Sequence, residues 1–252
     1  MMEKTLVLLK PDAVERALIG GASSGAVGDA TFAASVTEIG EGSSSFPNPT
    51  NLFSGETSLF WFVAHDAAGN LACDINNNCF TGDSLKVCWG KEGTSAASSE
   101  TPALEASIVY AQPPGDYGSL KIAREAIDPN LSRVSSNNFS PADEGTCTIG
   151  TENFAFQKTL DFSSLGIPAS SYSNPNGLQF MVVRLLYNES QSHTAGISVD
   201  FPGNGILPAQ GVQVESSGAS GEANRKINVF QGFGEPPLPF GAVVFSPTGI
   251  TK

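Results

Sequence analysis

Residues Asn176 to Asn188 read NGLQFMVVRLLYN, and how this stretch is read decides the fold. It opens on an Asn-Gly pair, a strong turn signal. From Leu178 to Tyr187 both alternating faces are mostly apolar: Leu178, Phe180, Val182 and Leu186 on one, Met181, Val183, Leu185 and Tyr187 on the other. A strand with one wet face alternates apolar and polar, so this segment is expected to be covered on both sides. A buried helix is the competing reading. The turn at its start, its β-branched content and its short length favour a strand. It is the expected centre of a two-layer domain, and Arg184 within it needs an internal partner.

Working outward, short apolar runs recur between turn-rich stretches, as in a sandwich or barrel. Strands are expected at Asp29 to Ile39, Thr57 to His65, Ser84 to Gly90, Leu104 to Ala111 and Asn153 to Phe162. More follow the central one, at Gly196 to Asp200, Val212 to Ser216, Lys226 to Phe230 and Ala242 to Phe245. Thr57 to His65 is the second candidate for a doubly covered strand. Leu104 to Ala111 alternates, with Leu104, Ala106, Ile108 and Tyr110 inward and Glu105 and Ser107 outward. That pattern predicts an antiparallel strand with one wet face. Leu120 to Ile127 reads as a short helix stopped by Asp128-Pro129. Polar loops are expected at Gly40 to Asn51, Gly93 to Thr101, Ser132 to Gly145, Ser163 to Asn176 and Ser216 to Asn224. The fold class is therefore mainly β: an antiparallel β-sandwich-like domain with long loops and little helix.

The composition agrees. Gly 27 and Pro 16 in 252 residues mean many turns. A net charge of -12 argues against nucleic-acid or anionic-membrane partners, which need clustered Lys and Arg. Scarce Lys with abundant Ser, Thr, Asn and Gly reads as an extracellular or cell-surface protein. The longest apolar runs, Leu6 to Leu9 and Leu59 to Ala64, are far too short to span a membrane. No signal peptide is read, because Lys10-Pro11-Asp12 interrupts the first apolar run.

The cysteines are Cys73, Cys79, Cys88 and Cys147. They lack the paired C-x2-C knuckles of structural zinc. Cys73 and Cys79 flank a polar loop and can close it as a small disulfide. Cys88 and Cys147 would then form a second bridge or remain reduced. Four cysteines allow three pairings, and sequence does not choose among them.

Asp66, Asn70, Asp74, Asn76, Asn78 and Asp83 crowd one loop. Clustered oxygen ligands on a turn-rich loop are what Ca²⁺ requires, although Asx residues are also the ordinary residues of turns. The spacing is not that of an EF-hand. Gly21-Ala22-Ser23-Ser24-Gly25 fits the letters of G-x-S-x-G, but a nucleophile elbow needs a strand before it and a helix after it. His65, beside Asp66, reads as a strand-end histidine whose ring points away from its neighbour. His193 reads as a solvated loop residue. Arg184, Arg225 and Lys226 are expected to pair with Asp200 or Glu215, or with a carboxylate of a neighbouring subunit. Phe233 and Phe240, in GFGEPPLPFG, read as core or as an apolar docking strip.

Residues 1 to 20, MMEKTLVLLKPDAVERALIG, resemble the opening of a nucleoside diphosphate kinase, whose first strand ends in such a KPDAV turn. The resemblance implies phosphoryl transfer between nucleotides with Mg²⁺, with Lys10 in the phosphate site and a nucleophilic histidine. That family's histidine lies in an N-x-x-H-G-S-D type segment. His65 in FVAHDAAG and His193 in SQSHTAG match neither its letters nor its spacing. Residues 1–20 therefore read as a kinase-like segment, fused to or an artefact upon an unrelated domain at 21–252. Within that domain, Gln112 to Ser140 is the candidate division between two lobes.

The runs DFSSLGIPASSY, NGLQFMVVRLLYN, QGVQVESSG, GEANRKINVFQGF and VVFSPTG resemble the globular part of bacterial pilin-like, prepilin-type proteins, over residues 57–252. The resemblance implies a non-enzymatic extracellular structural or adhesive subunit. Its partners would be other pilin-like subunits or itself, and it would need no cofactor. A carbohydrate-binding β-sandwich using exposed aromatics is the remaining expectation.

Overall fold

The computed structural model describes residues 22–66, 68–73, 78–201 and 205–234. Lys10, Asp74, Asn76, Phe240 and the expected strand Ala242 to Phe245 lie outside the described residues. Two five-stranded sheets face each other, and a four-stranded sheet stands beside them. The expected antiparallel β-sandwich-like architecture is present, with little helix.

In chain order the strands are β1 (Ala22–Val27), β2 (Ala30–Ile39), β3 (Ser45–Pro47), β4 (Thr57–Trp61), β5 (Ala64–His65), β6 (Leu71–Ala72), β7 (Ser84–Lys91) and β8 (Ala103–Ala111). There follow β9 (Leu120–Asp128), β10 (Ser140–Pro141), β11 (Cys147–Ile149), β12 (Glu152–Asp161), β13 (Leu178–Leu186), β14 (Ala195–Ser198), β15 (Gly211–Ser220) and β16 (Ala223–Gly232). The first large sheet has the order β10-β9-β8-β13-β4, and the second β11-β12-β7-β14-β3. Between them lies one continuous core. Leu104, Ile108, Met181, Val183 and Leu185 from the first sheet meet Leu85, Val87, Trp89, Phe156, Leu160 and Ile197 from the second.

The decisive stretch is the strand β13, paired on both sides, with β8 and with β4. Its Asn-Gly start has a physical cause. Asn176 adopts a left-handed φ of 60°. A Cβ on Gly177 would collide with the backbone of Ser171, so no larger residue fits there. The register shifts between Leu178 and Phe180, which puts Leu178 into the core together with Met181, Val183 and Leu185. The other face, carrying Phe180, Val182, Arg184 and Leu186, is only half-buried. Coverage on both faces was the expectation; within the described residues the second sheet covers one face alone.

Leu120 to Ile127 is not a helix. It is β9, paired antiparallel with β8 from Leu104↔Ile127 to Ala111↔Leu120. The Ala, Lys, Arg and Glu content favours helix locally, but eight paired positions on a core strand override that weak preference. Thr57 to His65 is split at Phe62-Val63, where β4 ends and β5 begins. The expected loop Ser132 to Gly145 contains most of a short helix, Leu131–Asn137, capped by the Asn130 side chain on Ser132 N–H. The expected loop Ser216 to Asn224 is mostly strand as well. β15 and β16 run on to a tight turn at Gly221-Glu222, with Gly221 at a φ of 60°.

Both disulfides form, joining Cys73 to Cys79 and Cys88 to Cys147. The first closes the small loop beside the β5–β6 hairpin. The second ties β7 to β11 within a cluster holding Ile149 and Phe154.

Candidate functional site

The outward face of the first large sheet is built in rows. Cross-strand register aligns Trp61, Phe180, Val109 and Ile122 in one row and Leu59, Val182, Ser107 and Arg124 in the next. A third holds Thr57, Arg184, Glu105 and Ala126. Glu105 thus sits directly opposite Arg184, with Arg184 Nη1 3.6 Å from its carboxylate, and Arg124 Nε approaches the same carboxylate at 4.0 Å. The partner of Arg184 is therefore Glu105, not Asp200 or Glu215. Two guanidinium groups share one carboxylate, which leaves a surplus positive charge on a mostly apolar face of an acidic protein. Arg184 Nε is buried without a hydrogen-bond partner. Ile122 and Leu120 at the β9 border are about half exposed.

The upper end of this face is closed. Trp61 packs edge-on against Phe180 and His65, and Phe233 stacks on His65 at 4.1 Å. Phe233 belongs to a packed aromatic group. The free edge of β4 is also capped here, at its last residue. Trp61 N–H donates to Gln210 Oε1 at 2.8 Å, and Gln210 Nε2 donates back to the Trp61 carbonyl at 2.9 Å. His65 is a buried strand-end residue, as expected. Burial holds its pKa below the ordinary value, against the opposing pull of Asp66.

His193 is not solvated; it is fully buried. Its Nδ1 accepts the Lys91 N–H at 3.1 Å, and its Nε2 has no partner. Burial, then the charge of Lys91, lowers its pKa, with Glu100 acting the other way. What buries it is the Asn188-to-Thr194 loop returning to β7, a contact that no local pattern carries.

The described part of the Asx loop is held by its own chain. The Asp66 carboxylate accepts the N–H groups of Ala68 and Asn70 at 2.8 and 2.9 Å and also the Asn70 side chain. These bonds, the Asn70 N–H first, hold its carboxyl below the usual range. Asp83 accepts the Ser84 hydroxyl, and its carbonyl takes the Phe162 N–H. Asn78 is exposed. Among the described residues no group of three or more His, Cys, Asp or Glu side chains is placed to hold a metal. Ser23 and Ser24 lie within β1, an edge strand followed by a turn and another strand, so the elbow geometry is not met. Phe53, Tyr117 and Tyr187 are exposed rings on three different loops.

Sequence reasoning missed the buried carboxylate Asp128. It receives Arg133 Nε at 2.9 Å and Nη2 at 2.8 Å, the Asn137 amide at 2.8 Å and the Asn130 N–H at 2.8 Å. Arg133 also donates to the carbonyls of Ser99 and Thr101 and lies 4.2 Å from the Tyr187 ring. This cluster locks the helix Leu131–Asn137 to the 93–101 loop, and each nitrogen of the Arg133 guanidinium is hydrogen-bonded. It is a structural clamp rather than a site.

No protein-family model, no curated protein and no solved structure matches the chain.

Proposed function

We propose that the chain is a non-enzymatic structural or adhesive subunit of an extracellular assembly, pilin-like in type. It works by contact with other subunits, further copies of itself included. One observation supports this reading above the rest. The apolar strand β13 shows the core one face and leaves the other half open, with Phe180, Val182, Leu186, Leu59 and Ile122 around a cation-rich cluster. Contiguous, partly exposed apolar patches mark protein contacts. Two disulfides suit an oxidising compartment outside the cytosol. Among the described residues no helix is long and apolar enough to cross a membrane.

The test is sedimentation over a wide concentration range for the wild type and for Val182→Glu. The wild type is expected to form larger species as concentration rises, and Val182→Glu to shift them to monomer. Because Val182 is only half-buried, the variant's unfolding free energy should stay within about 1 kcal/mol of wild type. A single monomeric species up to about 1 mM, where association is worth only about 4 kcal/mol, would overturn the reading.

A further inference from the structure

The edges of the three main sheets are finished differently. In the two large sheets they are short or blocked. β10 and β3 are two- and three-residue strands ending in Pro141 and Pro47, β11 is three residues long, and the five-residue β4 is capped at Trp61 by Gln210. Such edges resist pairing with another chain. The four-stranded sheet, of order β1-β2-β15-β16, ends on strands of six and ten residues. Among the described residues nothing pairs with the outer side of either. Ala22, Ser23, Ser24 and Ala26 are exposed on β1, and Ala223 to Val229 on β16.

Strand number and register give these two edges a relation. Each neighbouring pair in the sheet is antiparallel, so with four strands β1 and β16 run in opposite directions. A second copy in the same orientation, moved along the sheet, therefore brings its β1 antiparallel to the first copy's β16. The rows run straight across: Ser23, Ala34, Ser216 and Ile227 lie level, as do Gly25, Phe32, Gly218 and Arg225. In the second row the Phe32 ring lies over Gly25, so close that a Cβ there would sit 2.8 Å from it. Were the rows to continue into a second copy, Arg225 of one would come level with the bare Gly25 of the next, with that Phe32 ring behind it, a placement that suits a cation–π contact. β1 carries no charge of its own to repel Arg225 or Lys226, and Lys226 is already paired with Glu215 at 2.7 Å.

We infer that copies of this chain join head to tail through these edges, β16 of one to β1 of the next. This deepens the assembly-subunit reading and rests on it. Four strands spaced about 4.8 Å apart give a rise of about 19 Å per copy. Strand twist of roughly 20–25° per step turns each copy by about 80–100° from the last. The sandwich bodies then point in successive directions around the run.

The test is disulfide trapping. Ser23 and Ile227 are exposed and level, so the S23C/I227C double variant is oxidised mildly and run on a non-reducing gel. The expected result is a ladder of covalent multimers, with S23C alone and I227C alone remaining monomeric. Adding R225A should reduce the ladder several-fold. Dimers from either single-cysteine variant would mean two-fold pairing of like edges and would overturn the inference. So would the lack of a ladder at concentrations where the wild type associates, or a wild type that stays monomeric. If association is lost in Val182→Glu and no ladder forms, the subunit reading stands and the edge pairing fails. A ladder with association insensitive to Val182→Glu leaves edge pairing standing and removes the face as a contact.

Discussion

The His193 ring accepts the Lys91 N–H through Nδ1, so in the neutral form its proton sits on the partnerless Nε2. Protonation would turn Nδ1 into a donor facing another donor and would bury a charge. The folded state therefore binds that proton less readily than the unfolded chain, and the pKa lies below 6.5. The same direction holds for His65. A depressed folded value means that the stabilisation is fully present above the unfolded value and is lost as pH falls below it. Urea midpoints should thus decline on acidification from pH 6.5 downward, in the window where carboxylates still remain charged. His193→Gln should be less stable at pH 8 but show a shallower decline. A midpoint that rises on acidification through this window would show that neither ring is held neutral.

At the scale of the element, β13 carries two adjacent leucines with different fates. Leu185 is in the core, and Leu186 is on the half-open face. Leu185→Ala should cost about 2–5 kcal/mol, the transfer loss plus the cavity left behind. Leu186→Ala should cost less than about 1 kcal/mol, because its side chain already meets water. Denaturant unfolding of the two variants reads the difference, and equal costs would mean that both faces are covered in the free protein. The strand itself was legible from its apolar content and its Asn-Gly start. Its one-sided burial was not, because an apolar residue facing an unfilled site and one facing a core look alike in sequence. β9 shows the converse. Its alternation, Ile122 and Arg124 against Ala123 and Glu125, is also readable as helix, and its pairing with β8 decided between them.

For the whole molecule the two disulfides have unequal work. Cys73 and Cys79 are 6 positions apart, and Cys88 and Cys147 are 59 apart. On chain entropy alone, the short loop is worth about 2 kcal/mol and the long one about 4 kcal/mol. The longer bridge also holds the edge strand β11 near β7, and Cys88 is fully buried. Replacing Cys88 and Cys147 with Ala should therefore lower unfolding free energy by clearly more than replacing Cys73 and Cys79. Thermal or urea unfolding of both double variants checks this, and a reversed order would place the main restraint in the β5–β6 hairpin.

Periodicity, turn chemistry and composition were enough to establish a mainly β, antiparallel, disulfide-compatible domain and to locate most of its strands. They are properties of neighbouring residues, and they survive in the chain without knowledge of its partners. The pairing of Cys88 with Cys147, the bond of Glu105 to Arg184 and the burial of Asp128 and His193 depend on segments far apart in sequence. So do the extension of β15 and β16 into the four-stranded sheet and the finishing of each edge. The Ser, Gly and Ala of Ser216 to Asn224 read locally as a loop. They became strand because two neighbouring strands supplied their backbone hydrogen bonds, a cooperative gain that no single residue carries.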